Sequence, residues 1–512
     1  MLFLHILLSC RLTCIRQALQ HVFLLFWLLS CLGLSSCTLG KSNPSSTAHR
    51  RFLLQSDAIQ TQGPDNQLRL KLERILGSHT DRYEAFRNAI QRDHARRALL
   101  ERRRFLPETS ENVTPVLTAP DSNSSALPQA SLNVISGSSV GSGAYFATVS
   151  VGTPPQKLFL IADTGSDLMW VKCRSSQQPV VASTKTGEIP MNQSFDESAS
   201  STLSPISCLS KDCAAWFSPP TCEVGLSRNC KISYSYTDKS SITGSIAFET
   251  ITLGEDKHTN MVLGCGQQYV GSNFEKSGGV VGLGQGPLSL ASQLAARSAY
   301  SNKFSYCLAD FLGPSSISGS LAFGETDLLQ TALNYTPLIQ NPFAESFYYV
   351  KIQEVRVGGV ALDIPAYVWK IDARGSRGTI VDSGTTLAQF AKPAYDAIRN
   401  AFQETIHGIS QLDEEPVPGL SLCYRTNTSN ATASTSFPDF TIVFDGGLVF
   451  EPPTKNYFTE VAPGITCLAM QEVPAGSLSV VGNLLQQNYH MEFDRLHNLL
   501  GVSPADCSRL HS

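Results

Sequence analysis

Phe159-Leu-Ile-Ala-Asp163-Thr164-Gly165-Ser166 and Gly378-Thr-Ile-Val-Asp382-Ser383-Gly384-Thr385 are two copies of one pattern, an apolar run ending in Asp-Thr/Ser-Gly-Ser/Thr. Each is followed by Val-Val-Gly: Gly282 of Val280-Val281-Gly282 lies 119 residues after Asp163, and Gly482 of Val480-Val481-Gly482 lies 100 after Asp382. One Asp-Gly triplet is ordinary hairpin-turn chemistry, whereas the paired set marks an internal repeat. Two β-rich halves with one acid apiece can bring two carboxylates together at a pseudo-twofold axis.

A carboxylate at a strand end, held by a tight Gly turn, is positioned rigidly. Thr164 and Ser383 carry small hydroxyls that can bond across to the opposite half. At about 3 Å separation two such acids do not both ionise easily, so the pair shares one proton. The ionised member then draws a proton from a bound water while the protonated member polarises a carbonyl. This is general acid/base attack on an amide without a covalent intermediate.

The 512 residues exceed what one hydrophobic core organises, so two lobes plus processed segments are expected. With 37 Gly and 27 Pro the chain is turn-rich, which excludes coiled coils and helical solenoids. The net charge of −4 provides no global basic field for nucleic acid. That figure hides an asymmetry. Residues 41–105 hold 14 Lys/Arg against 7 Asp/Glu, and residues 106–512 sum to −13. A basic segment precedes an acidic body, and charge can hold the two together.

The apolar run at residues 22–34 has the length of a signal-peptide core rather than of a membrane span, with an uncleaved anchor as the alternative. Residues 1–37 are therefore expected to be a signal peptide and 38–135 a basic prosegment with a Ser/Pro-rich linker. An N-terminal lobe is expected over 136–335 and a C-terminal lobe over 336–512, with the ordered body opening near Ala144, where Tyr145, Ala147, Val149 and Val151 alternate as in a strand. Ten cysteines lie beyond the targeting region: Cys173, Cys208, Cys213, Cys222, Cys230, Cys265, Cys307, Cys423, Cys467 and Cys507. Their spacing does not suit zinc, and five disulfides in an exported protein is the natural reading. Sequons at Asn112, Asn123, Asn192, Asn334, Asn427 and Asn430 fit the same secretory route, the last four lying in the expected body.

The repeated Asp motifs resemble those of the pepsin-like aspartic proteases, and within them the plant nepenthesin-like branch. The resemblance runs from about Gly143 to Cys507 and includes the Phe493-Asp494-Arg495 of the C-terminal signature. It implies a mainly all-β, bilobal fold with the cleft between the lobes. It implies Asp163 and Asp382 as the catalytic dyad, supported by Thr164, Gly165, Ser166, Ser383, Gly384 and Thr385. Residues 232–250 align with the family's flap hairpin, which places Tyr236 over the cleft and Trp170 as its supporting ring. Thr237 and Lys239 flank Asp238, where the plant branch has glycines, so the flap tip is expected to be stiffer and more basic. Residues 174–231 match the branch's cysteine-rich insertion, although the usual cluster just after the first Trp is absent. Carried over by resemblance, the pairing is 173–265, 208–230, 213–222, 307–507 and 423–467.

The expected protein is thus an aspartic endopeptidase acting on extended polypeptides, made as a zymogen silenced by its own prosegment, monomeric, and needing neither metal nor other cofactor. After loss of the signal it has no stable membrane span, and it is expected in the extracellular space or cell wall, with the vacuole as alternative. The rival is a non-proteolytic binding or inhibitor protein on the same fold, acting on glycoside hydrolases. Two decoys are set aside. Gly137-Ser-Ser139-Val-Gly141 has nucleophile-elbow spacing but sits in a Ser/Gly linker, and residues 278–286 lack the lysine of a phosphate loop. Arg102-Arg103-Arg104 suits a processing site or a solvated helix end equally.

Overall fold

The computed structural model describes residues 129–509 apart from 141, 175–192, 218–221, 223–227, 236–240, 271–276, 314–317, 326–331 and 427–436. Ahead of these it describes 83, 84, 86, 87, 90 and 93. The signal-peptide run, five of the six sequons (all but Asn334) and Tyr236 with its flanking residues lie outside the described residues. Among those described, no helix is long and apolar enough to cross a membrane.

The fold is mainly β and bilobal. In the first lobe the strand Tyr145–Val151 lies antiparallel to Gln156–Asp163. Its alternate residues Tyr145, Ala147, Val149 and Val151 enter the main core, as their spacing predicts. Phe146, on the other face, joins a second cluster with Phe159, Ile161 and Trp170. Both faces of this sheet are covered, which is why 158–162 reads as a continuous apolar run rather than an alternating one. The long hairpin of Ser241–Leu253 and Asp256–Val270 closes the lobe.

The second lobe carries a five-stranded sheet around Thr379–Val381 and two four-stranded sheets. The helix Lys392–Thr405 packs Ala394, Tyr395, Ile398 and Phe402 inward, an i, i+4, i+8 stripe typical of a half-buried helix. In each lobe the strand entering the Asp motif pairs in parallel with its Val-Val-Gly strand. Ile161-Ala162-Asp163 lies beside Val280-Val281-Gly282, and Thr379–Val381 beside Ser479–Val481. The internal repeat is therefore a repeat of structure.

The lobes are joined by a shared sheet. Lys303–Cys307, from the first half, pairs antiparallel with Tyr489–Asp494, from the second. Above this seam Phe493 stacks on Phe304 with centroids 4.7 Å apart, and Tyr348 meets Phe493 edge-on at 4.6 Å. The Tyr348 hydroxyl donates to the Leu283 carbonyl at 2.7 Å, so the aromatic column satisfies its polar atom as well as burying area. The Phe493-Asp494-Arg495 signature is accounted for here. Asp494 accepts from Lys303, and Arg495 donates to the Gln285 carbonyl and the Ser292 hydroxyl of the first lobe.

Two expectations are corrected. The ordered body starts earlier than Ala144: Ala130–Ser136 is a full strand, paired with Ser318–Phe323 on one side and Tyr145–Val151 on the other. Its alternate residues Leu132 and Val134 are buried, a short pattern hidden among the Ser and Ala of the linker composition. The second correction is to the insertion's disulfides. Pairs 173–265, 307–507 and 423–467 form as the resemblance implies, but the inner two cross as 208–222 and 213–230. The short helix Lys211–Trp216, capped by the Ser210 hydroxyl, turns Cys213 inward, where it is fully buried with Cys230. Cys208 is left to meet the exposed Cys222. Peptide mapping of the unreduced protein should return fragments joining 208 to 222 and 213 to 230. Fragments joining 208 to 230 would restore the nested arrangement.

His490, on the shared sheet, is buried, and neither ring nitrogen has a hydrogen-bond partner among the described residues. Burial pushes its pKa down to about 4. The unfolded chain binds the proton near pH 6.5 and the folded one only near 4, so stability falls as pH drops through this window. The loss approaches about 3 kcal/mol at the acid end. His490→Met should flatten this dependence, read as the difference in urea midpoint between pH 7 and pH 4. An unchanged difference would show that other groups carry it.

Candidate active site

Each Asp motif folds the same way because each strand ends at a glycine turn whose amide points back at the carboxylate. Asp163 Oδ1 accepts from the Gly165 amide at 2.9 Å and its Oδ2 from the Ser166 hydroxyl at 2.5 Å. Asp382 Oδ1 accepts from the Gly384 amide at 2.9 Å and its Oδ2 from the Thr385 hydroxyl at 2.5 Å. Both carboxylates are buried. A buried carboxylate survives only when donors replace water, and the Gly and Ser/Thr of each motif are those donors.

The two loops are tied by a reciprocal lock. The Thr164 hydroxyl accepts from the Ser383 amide at 2.9 Å and donates to the Val381 carbonyl at 3.3 Å. The Ser383 hydroxyl accepts from the Thr164 amide at 3.1 Å and donates to the Ala162 carbonyl at 3.0 Å. Each hydroxyl thus uses both donor and acceptor capacity, and all four bonds cross between the lobes. Asp163 and Asp382 each stand one residue before a hydroxyl of this lock.

The Val-Val-Gly strands support the loops from below. A Cβ on Gly282 would come within 2.0 Å of the Asp167 carbonyl oxygen, and one on Gly482 within 2.4 Å of the Leu387 carbonyl oxygen. Only glycine lets these strands approach so closely. Trp170 is buried in the second cluster of the first lobe, beside Phe146 and Ile232. Its expected partner Tyr236 lies outside the described residues.

Three supporting residues carry no signal in the triplets themselves. Asn483, directly after the second Val-Val-Gly, donates to the Ser383 and Gly143 carbonyls at 2.9 and 3.1 Å. Asp167 accepts from the Gly286 amide at 2.8 Å and from the Ser346 hydroxyl, a residue of the second half. Asp93, upstream of the body, accepts from the Thr386 and Leu387 amides. The first two stand directly after a repeated motif, where the repeat itself breaks: Asp167 corresponds to Thr386 and Asn483 to Leu283. No spacing points to Asp93. Cys173, Glu197 and Cys265 approach one another closely, but the two sulfurs are joined as a disulfide and leave a single carboxylate as a possible ligand.

Family models for the N-terminal and C-terminal xylanase inhibitor domains match residues 145–325 and 347–504. Nepenthesin-1 of Nepenthes gracilis is 35% identical over 372 residues, covering 72% of this chain and 79% of the relative. Nepenthesin-2 of the same species is 30% identical over 468 residues, covering 91% and 95%. This chain belongs to the pepsin-like aspartic protease family, in its plant nepenthesin-like branch. Solved structures of soybean basic 7S globulin and lupine conglutin gamma match this aspartic protease-family chain with TM-scores of 0.59, at 19% and 20% identity. Each match covers 75% of this chain and 100% or 98% of the other, and shows the fold.

The lock generates a quantitative expectation. Thr164→Val removes the hydroxyl and strands the Ser383 amide, a buried donor, at a cost of about 1–3 kcal/mol. Thr164→Ser should cost far less. Urea denaturation of Thr164→Val, Ser383→Ala and the double variant should give strongly non-additive losses, because both singles break the same lock. Additive losses would mean that the two hydroxyls act independently.

Proposed function

We propose that this protein is an aspartic endopeptidase in which Asp163 and Asp382 activate one water between them. The observation that supports this reading is the completeness of both halves of the site. Each carboxylate has its glycine amide and its hydroxyl donor, and the lock between the lobes is made in full. With one proton between the pair, one carboxylate takes a proton from water as the other hydrogen-bonds the scissile carbonyl. Tyr236 is assigned to the flap that closes over an extended polypeptide held between the lobes, with Trp170 behind it. The two lobes are assigned to residues 136–335 and 336–512, with the strand Ala130–Ser136 added to the first.

In this reading the chain is exported as a glycosylated, monomeric zymogen. The +7 segment at 41–105 is drawn to the −13 body at neutral pH and inhibits it. Acid weakens that attraction, because carboxylates of the body take up protons while the arginines stay charged. Since Ala130–Ser136 is built into the sheet, the activating cut is assigned to residues 106–129.

A second reading has a specific observation behind it. The matching family models carry the name of xylanase inhibitors, and a binding protein needs the fold without the chemistry. The two are separated by cleavage of unfolded globin at pH 4 by the mature protein and its block by a statine-type inhibitor. Asp163→Asn or Asp382→Asn should lower that cleavage at least a hundredfold while leaving the circular dichroism unchanged. A wild-type protein that leaves globin intact but slows a xylanase would replace the protease reading with the inhibitor one.

A further inference from the structure

Tyr83, Phe86, Ile90 and Asp93 are helical, and their i, i+3, i+7, i+10 spacing places them on one face. All four are buried, whereas Glu84 and Arg87 between them are exposed. Phe86 and Ile90 enter the main hydrophobic core, although both precede the body by some forty residues of chain. These residues therefore belong to the same compact unit as the described body.

The polar end of the buried face is Asp93. Its Oδ1 accepts from the Thr386 amide at 2.8 Å, its Oδ2 from the Leu387 amide at 2.5 Å, and its backbone carbonyl from the Gln389 side chain at 3.4 Å. These amides follow directly on Thr385, whose hydroxyl holds Asp382. Thr386 also donates its own hydroxyl to the Gly143 carbonyl at 3.0 Å. A carboxylate receiving two parallel backbone N–H groups in a buried setting is a strong, directional contact. Its loss would leave two buried donors without acceptors.

We infer that the buried face formed by the helical residues Tyr83, Phe86, Ile90 and Asp93 is a built-in ligand for the second catalytic loop. Asp93 is its anchor and a positioning residue for 385–387, and the segment stays docked when the chain is cut downstream of it. The apolar face provides the area and the carboxylate provides the register. A helix shifted by one residue would offer Arg92 or His94 in place of Asp93, and neither can accept from both the Thr386 and Leu387 amides. The inference rests on the zymogen reading for the cut itself, but the docking is measurable without any proteolytic activity of the protein.

The test uses the full chain with a recognition sequence for a site-specific endoprotease inserted between residues 110 and 120. Wild type, Asp93→Asn and Arg87→Ala are cut at pH 7, then passed over a gel-filtration column and weighed. Asn conserves the volume but turns an NH2 toward an amide N–H. The upstream fragment should travel with the body in wild type and Arg87→Ala, and leave at least tenfold faster in Asp93→Asn. Should Asp93→Asn fail to fold, synthetic peptides of residues 78–98 are added to the cut wild-type protein. Excess native peptide should displace the fragment, and the Asp93→Asn peptide should need at least tenfold more. Separate elution of the wild-type fragment, or equal behaviour of the Asn and native forms, would overturn the inference. Where the protein cleaves peptides, Asp93→Asn should lower kcat with KM nearly unchanged, as expected of a loop-positioning residue and not of a substrate contact.

Discussion

Two hydroxyls tie the two Asp-motif loops of this molecule together. Thr164 and Ser383 each receive an amide from the opposite lobe and return a proton to a carbonyl there. The constraint is mutual, because neither loop can shift without breaking two bonds that belong to the other. The carboxylates next to them inherit that rigidity. Fixed donors, a glycine amide and a hydroxyl, surround each acid, so its position is set by the fold itself.

The rest of the fold can be read as support for that contact. The lock would be weak if the lobes were free to rock, and the sheet formed by Lys303–Cys307 with Tyr489–Asp494 prevents this by making strands of both halves neighbours. The stacked pair Phe304–Phe493 fills the space above the seam, and Arg495 reaches back to the first lobe. From below, Gly282 and Gly482 let the Val-Val-Gly strands press against the two loops. From upstream, Asp93 accepts the amides that follow the second motif. Strand pairing, aromatic packing, glycine contact and helix docking converge on about ten residues.

What the sequence by itself determined is whatever depends on local pattern or on the repeat. The Asp motifs, the Val-Val-Gly strands, the alternation from Tyr145 to Val151 and the two-lobed β architecture all follow from short-range rules, because strand period and glycine turns act over a few residues. Three of the five disulfides also follow, from resemblance. Tertiary structure alone decided the others. The crossing of 208–222 and 213–230 depends on a single helical turn at Lys211–Trp216, whose effect on direction no spacing records. The strand Ala130–Ser136 lies between two neighbours, one of them Ser318–Phe323, nearly two hundred residues further along the chain. Asp93 looks like one charge among many in a basic stretch, and becomes an anchor only where folding brings the Thr386 and Leu387 amides to it. Long-range contacts are chosen by the surface that the rest of the chain has already built, and that surface is not written in the residues that bind it.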